Sequence, residues 1–126
     1  MDAEFGKIVW QDLTVKDAEK IKDFYSEVVG WTSKNHPMGD YDDFEIKPSK
    51  DSEETIAGIC HARGSNANLP PQWLMYVNVE NIDQSVTKCE ELGGRVLDGP
   101  RTMGPNRFCV IQDPEGAVLA LISNQE

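Results

Sequence analysis

Gln72-Trp-Leu-Met-Tyr-Val-Asn-Val79 is followed by Asn81 and Asp83, then by Val86, Cys89 and Leu92, and then by Gly93-Gly94. The first eight residues are rich in β-branched and aromatic side chains and predict a strand. Asn81 and Asp83 offer helix caps, the three apolar residues recur at helical spacing, and the glycine pair supplies a left-handed stop. The same order occurs once before. Lys7-Ile-Val-Trp-Gln-Asp-Leu13 predicts a strand, and Thr14-Val-Lys-Asp17 has the spacing of a capping box with Asp in place of Glu. Ala18, Ile21, Phe24, Tyr25 and Val28 form the stripe, and Gly30 ends it. A shift of 64 positions lays Val15 on Val79 and Gly30 on Gly94, and a shift of 65 lays Met38-Gly39 on Met103-Gly104. An offset of about half the chain points to a duplicated unit.

After each helix the chain reads as short strands separated by turn residues. In the second copy these are Arg95-Val-Leu97, Arg107-Phe-Cys-Val-Ile-Gln112 and Ala117-Val-Leu-Ala-Leu-Ile122. Asp113-Pro-Glu-Gly116 between the last two favours a type I turn and a hairpin. In the first copy Asp43–Lys47 and Thr55–Cys60 are the expected equivalents, and the segment 65–71, Ser-Asn-Ala-Asn-Leu-Pro-Pro, has linker composition. The plan is βαβββ twice: one α+β domain over residues 1–126, with module one at about 5–64, the linker at about 65–71 and module two at about 72–123.

The chain has 126 residues, 39% of them hydrophobic, which suits one domain with a real core and argues against global disorder. Twenty-two acids against twelve bases give a net charge of −10, which repels phosphate backbones and anionic headgroups, so neither nucleic acid nor a membrane is expected as a partner. Cys60, Cys89 and Cys109 are odd in number, widely spaced and without a CxxC pair, which suits a reducing compartment. Residues 1–7 show neither a basic n-region nor an apolar h-region, so a cytoplasmic location is expected.

Three stretches carry a family resemblance: Trp10-Gln-Asp-Leu-Thr-Val-Lys-Asp-Ala18 running into Phe24-Tyr25 and Gly30-Trp31; Val77-Asn-Val-Glu-Asn-Ile-Asp83 running into Leu92-Gly93-Gly94; and Asp113-Pro-Glu-Gly116 before the terminal strand. Together they resemble the vicinal oxygen chelate superfamily, which includes glyoxalase I, bleomycin-resistance proteins and extradiol dioxygenases. The resemblance implies paired βαβββ modules forming a curled, cup-shaped mixed sheet with helices on the outside, and a homodimer for single-domain members of this length.

In metal-using members of that family, His, Glu or Gln on the first and last strands of each module hold a divalent ion that chelates adjacent substrate oxygens. Carried over position by position, those sites fall on Trp10, on Leu74, on Ala120 and within Ile56–Ile59. None of these residues is a usual metal ligand. No cofactor is therefore expected and no metal residue is assigned, although an ion in an unusual place stays open, and glyoxalase I or dioxygenase chemistry is not assigned.

Trp10, Leu74 and Ala120 would instead give the cup an apolar floor, with Tyr76 and Asn78 sharing the parity of Leu74. For Leu74 and Ala120 plain core packing is the simpler reading. His61 closes Cys60-His61-Ala62-Arg63, and the register of its strand decides which face it meets; it is the better placed of two histidines for acid–base work, set against a plain hydrogen-bonded strand end. Asp12 shares a strand face with Trp10 and Ile8, where a carboxylate among apolar neighbours would serve as a base, or else it meets solvent. Residues 40–54 hold seven acids and two lysines. They lack an EF-hand pattern, with Asp51 at the twelfth position from Asp40 and no glycine at the sixth, and read as a solvated edge. Cys60 lies near a histidine and an arginine, as a reactive thiol would, whereas Cys89 and Cys109 read as small core residues.

These residues lead to a small-molecule-binding protein with His61 and Asp12 as candidate catalytic groups and Trp10, Arg63, Leu74, Tyr76, Asn78 and Ala120 as candidate ligand contacts. The alternative is a lyase- or isomerase-type enzyme in which Asp12 and His61 transfer protons and Arg63 clamps an anion. A pure interaction module is the third reading, and fold alone does not choose among them.

Overall fold

A computed structural model describes residues 4–124. Its elements are β1 (Ile8–Val15), α1 (Ala18–Val29), β2 (Thr32–Pro37), β3 (Asp42–Lys47), β4 (Ala57–His61), a 3-10 turn (Gly64–Asn66), β5 (Trp73–Asn78), α2 (Ile82–Glu91), β6 (Arg95–Met103), β7 (Asn106–Gln112) and β8 (Val118–Asn124). The chain divides into two units, one of residues 11–73 and the other of the residues up to Trp10 together with those from Leu74 onward. β1 belongs to both.

The strand order in the first unit is β2-β3-β4-β1, with β1 parallel to β4 and the other pairs antiparallel. In the second it is β5-β8-β7-β6, again with one parallel pair, β5 on β8. Each element of one series has its counterpart in the other, so the repeat in the sequence is a repeated βαβββ topology in an α+β chain.

In the first unit α1 covers one sheet face, where Leu13, Phe44, Ile46, Ala57 and Ile59 meet Ala18, Ile21 and Tyr25. Asp17 is the N-cap and its side chain accepts from the Lys20 N–H, while Gly30 at φ +86° closes the helix. The cap is thus Asp17 itself, not the Thr14 of the expected capping box, because Thr14 is still in β1 and buried. Tyr25, Trp31 and Trp73 form an aromatic cluster with ring centroids 5.5–5.7 Å apart, and the Trp73 indole N–H donates to the Tyr25 hydroxyl at 3.2 Å.

In the second unit Ile82 and Val86 of α2 pack on Val77, Cys109, Ile111, Leu119 and Leu121. Asn81 is the N-cap and accepts from the Gln84 N–H. The Asp113–Gly116 turn forms as its composition requires: Asp113 Oδ1 accepts from the N–H groups of Glu115 and Ala117.

Two strands depart from the expected pattern. β2 is polar and lacks the apolar alternation of a half-buried strand, and it exists because its backbone completes a ladder against β3 from Thr32↔Lys47 to Pro37↔Asp42. β6 runs on past Leu97 to Met103 because its register against β7 shifts twice between Val96 and Arg101, which accommodates Gly99-Pro100 inside a strand.

Candidate functional site

The parallel register sets Asp12 against Gly58, Leu13 against Ile59, Thr14 against Cys60 and Val15 against His61. Residues alternate between faces, so Asp12, Thr14, Glu45 and Cys60 lie on the face away from α1, while His61 falls on the side of Leu13, Ile59 and Phe44. The two candidate catalytic residues are thereby separated. Asp12 is half-buried beside Cys60, and His61 takes a different carboxylate as its partner.

That partner is Asp43, which the sequence reading did not single out because it sits in an acidic run with the composition of a solvated edge. Its carboxylate is buried, with 8% of the side chain exposed against 16% for His61. Asp43 Oδ1 accepts the backbone N–H of His61 at 2.8 Å and lies 3.3 Å from its Nδ1. The imidazole stands edge-on to the Tyr41 ring, centroids 5.3 Å apart, and is tilted against Phe44 at 6.3 Å. Arg63 lays its guanidinium 4.3 Å from the Tyr41 ring centroid, and its backbone N–H donates to the His61 carbonyl at 2.9 Å. Tyr41, Asp43, His61 and Arg63 therefore form one connected group at the end of β4.

Cys60, the neighbour of this group, is not a thiolate. Burial pushes its thiol up, and the charges of Asp12 and Asp43 and a hydrogen bond to Asp43 act in the same direction.

The candidate ligand contacts of the second unit are placed otherwise. Leu74, Tyr76 and Ala120 are core residues, exposed by only 1%, 3% and 0%. Tyr76 stacks on Phe108 at 5.4 Å, Arg101 lies 4.9 Å over the other side chain of that stack, and Asp98 pairs with Arg101 at 2.9 Å. Asn78 is half-buried; its N–H donates to the Lys7 carbonyl at 2.9 Å and its side-chain amide to the Glu4 carbonyl at 3.3 Å. Trp10, in β1, is half-buried. Shallow grooves of about 470 and 390 Å³ in this unit run along the polar surface of α2.

The positions that the resemblance assigns to a divalent ion carry no side chains suited to one. Leu74 and Ala120 are buried hydrocarbon, and Ile56, Ala57, Gly58 and Ile59 have no ligating side chain. Among the described residues no three His, Cys, Asp or Glu side chains converge as a metal site would require. The residues present do not fit the ion.

Comparison with known proteins agrees with this architecture. Residues 7–121 match a family model described as the Glyoxalase/Bleomycin resistance protein/Dioxygenase superfamily. A Mycobacterium bovis protein named "Putative glyoxylase CFP32" is 26% identical over 120 residues, which is 94% of this chain and 44% of that protein. The anthracycline biosynthesis protein DnrV of Streptomyces peucetius is 28% identical over 131 residues, 92% of this chain and 46% of that protein. The chain thus spans less than half the length of the curated relatives it matches. Among solved structures, the methylmalonyl-CoA epimerase of Mycobacterium tuberculosis shares the fold with a TM-score of 0.53 at 15% identity, covering 100% of this chain and 94% of that one.

Proposed function

From the premise that the chain belongs to the Glyoxalase/Bleomycin resistance protein/Dioxygenase superfamily, we propose that it binds a small organic anion at Arg63 and His61 and does so without the divalent ion of its metal-using relatives. The observation that carries this reading is the state of Arg63. Of the four arginines, Arg101 and Arg107 are paired with Asp98 and Asp83, and Arg95 bonds Gln112. Arg63 alone is exposed and rests on an aromatic face, with no carboxylate against it among the described residues. In a chain with a net charge of −10, a guanidinium held over a tyrosine ring and left without an acid is a preformed anion site. The buried packing of Leu74, Tyr76 and Ala120 supports this location over an apolar floor made by those residues.

Thermal-shift titration with acetate, pyruvate and 2-oxobutanoate tests the reading, because a ligand that binds only the native state raises its stability. The shift is expected to vanish in Arg63→Ala, and a shift that survives this change places the site elsewhere. Titration with nickel, zinc and manganese tests the metal-free part; one tightly bound ion per chain overturns it. A cytoplasmic homodimer belongs to the same proposal. One chain matches 44% and 46% of the length of the two curated relatives, which leaves room for a second copy, and light scattering at the mass of a single chain removes the dimer.

A further inference from the structure

Ser123 of β8 is buried, with 4% of its surface exposed, yet among the described residues its hydroxyl has no hydrogen-bond partner. No polar side-chain atom of a described residue is sealed from solvent without a partner, so this hydroxyl is reached from outside. It lines a hollow of about 200 Å³ at one end of the second unit, together with Glu80, Asn81, Ile82, Asp83 and Arg107. A buried hydroxyl left open only to a hollow has both a donor and an acceptor to offer there. The sheet and α2 build the place between them. β7 and β8 pair Arg107 with Ser123, two residues along the same face from Cys109 and Leu121, which pack against Ile82 of α2. Arg107 and Ser123 therefore lie side by side at the first turn of that helix. Its Gln84 N–H goes to the Asn81 side chain at 3.0 Å, while the N–H groups of Ile82 and Asp83 have no acceptor within the helix.

The hollow thus offers a guanidinium, a hydroxyl and helix N–H groups as donors, and the carboxylates of Glu80 and Asp83 as acceptors. A simple anion at Arg107 would meet two carboxylates, and a simple cation would meet the guanidinium. A ligand carrying both charges satisfies both sides. Arg107 Nη1 bonds Asp83 Oδ2 at 2.7 Å, but 69% of the Asp83 side chain and 33% of that of Arg107 are exposed. An ion pair so open to water contributes little and gives way readily. A zwitterion replaces that one contact with two, its carboxylate on Arg107 and its ammonium on Asp83. The volume is below the about 300–1,000 Å³ of pockets that enclose drug-sized molecules, which limits the ligand to a small one. We propose that this hollow binds a free α-amino acid with a small side chain, its carboxylate held by Arg107, Ser123 and the first N–H groups of α2, its ammonium by Asp83 and Glu80. The site shares no residue with the anion site at Arg63, and neither rests on the other.

The experiment titrates the full chain with alanine and follows the amide resonances of Ile82, Asp83 and Asn124 by NMR. Saturable shifts that fit one site are expected. Acetate and methylamine each carry one of the two charges, and they are expected to move the same resonances only at about ten-fold higher concentration or more. Ser123→Ala is expected to weaken alanine binding about five-fold, as the loss of one hydrogen bond does. The same change is expected to leave the thermal midpoint where it was, because the hydroxyl it removes has no partner among the described residues. Arg107→Ala is expected to abolish saturation, and Ser123→Ala carries the test even where that variant does not fold. Absence of a saturable shift, acetate or methylamine binding as tightly as alanine, or an alanine affinity unchanged in Ser123→Ala overturns the proposal. These amides belong to the second unit and Arg63 to the first, so failure here leaves the anion reading untouched.

Discussion

One oxygen of Asp43 accepts the backbone N–H of His61 at 2.8 Å and faces the same residue's Nδ1 at 3.3 Å, so a single buried carboxylate ends the β4 ladder and orients a side chain. Both duties fall on the same oxygen, which an amide can also supply. In Asp43→Asn the amide oxygen still accepts the backbone N–H, whereas Asp43→Ala leaves that N–H without its partner in a largely buried place. Losing the acceptor of a buried donor costs about 1–3 kcal/mol. Urea unfolding is expected to show Asp43→Ala less stable than Asp43→Asn by about that amount, and equal stabilities would show that the backbone bond contributes nothing.

Gly94 is a packing requirement, because its φ needs no glycine but its surroundings do. A Cβ built there would lie 2.7 Å from Cys89 Sγ and 2.7 Å from the Gln112 carbonyl oxygen. The sulfur can turn away, but the carbonyl belongs to β7 and moves only with its strand. Gly94→Ala is expected to destabilise by about 1–3 kcal/mol, the usual cost of overpacking. At Gly30, with φ +86° and open space around it, the cost of alanine is one of backbone strain instead, about 1–2 kcal/mol. Denaturation midpoints of the two variants, with Cys89→Ala/Gly94→Ala beside them, distinguish these causes: removing the sulfur leaves the clash with the Gln112 oxygen in place.

Glu45 on β3 is held below the ordinary carboxylate range, first by its hydrogen bond with His36 and then by one from Thr55. A depressed carboxyl stabilises the fold above its unfolded pKa of about 4.3, and that contribution is lost as pH falls through the lower, folded value. The pair is exposed, with 56% of the His36 side chain open to solvent, so the effect is small. His36→Ala is expected to raise the Glu45 titration midpoint by NMR and to cost about 0.2–0.5 kcal/mol at pH 5.5. A Glu45 midpoint unmoved by the change would assign the depression to Thr55.

What was legible in the sequence follows from what each feature depends on. The two helices and their glycine stops rest on local spacing, and the module plan rests on a repeat, so both were readable. β2 was not, since Thr32-Ser-Lys-Asn-His-Pro37 has no pattern of its own and is a strand only through its neighbour. Around the candidate site, His61 and Arg63 were visible because they lie two residues apart. Asp43 was hidden among acids that do face water, and only the antiparallel β3–β4 pairing, which sets Phe44 against Ile59, brings it to the end of β4. Asp12 and His61 are each legible as titratable residues, but the register that sets Asp12 against Gly58 and Val15 against His61 puts them on opposite faces. No local signal carries a parallel register.

The three thiols extend the same argument to alkaline pH. Burial raises all three above their ordinary values: Cys109 is pushed up to about 12, Cys60 is raised further by Asp12 and Asp43, and Cys89 is raised also by Glu90. A group whose folded pKa is raised contributes stability that is complete below its unfolded pKa, about 8.5 for a thiol, and is lost as pH climbs toward the folded value. Between about pH 9 and 11 a thiol that ionises only in the unfolded chain lowers stability by about 1.4 kcal/mol per pH unit. Replacing Cys109 by alanine costs stability at neutral pH, since it leaves a small void beside Ile82 and Leu121 in a fully buried cluster. The same replacement is expected to flatten the alkaline slope by about that 1.4 kcal/mol per unit, and Cys60→Ala to do likewise. Urea unfolding of each variant at pH 7, 9, 10 and 11 reads both quantities from one data set. A slope unchanged by Cys109→Ala would mean that its thiol ionises as readily in the folded chain as in the unfolded one, and the same native thiol would then react with a disulfide reagent at pH 9 as fast as a denatured one.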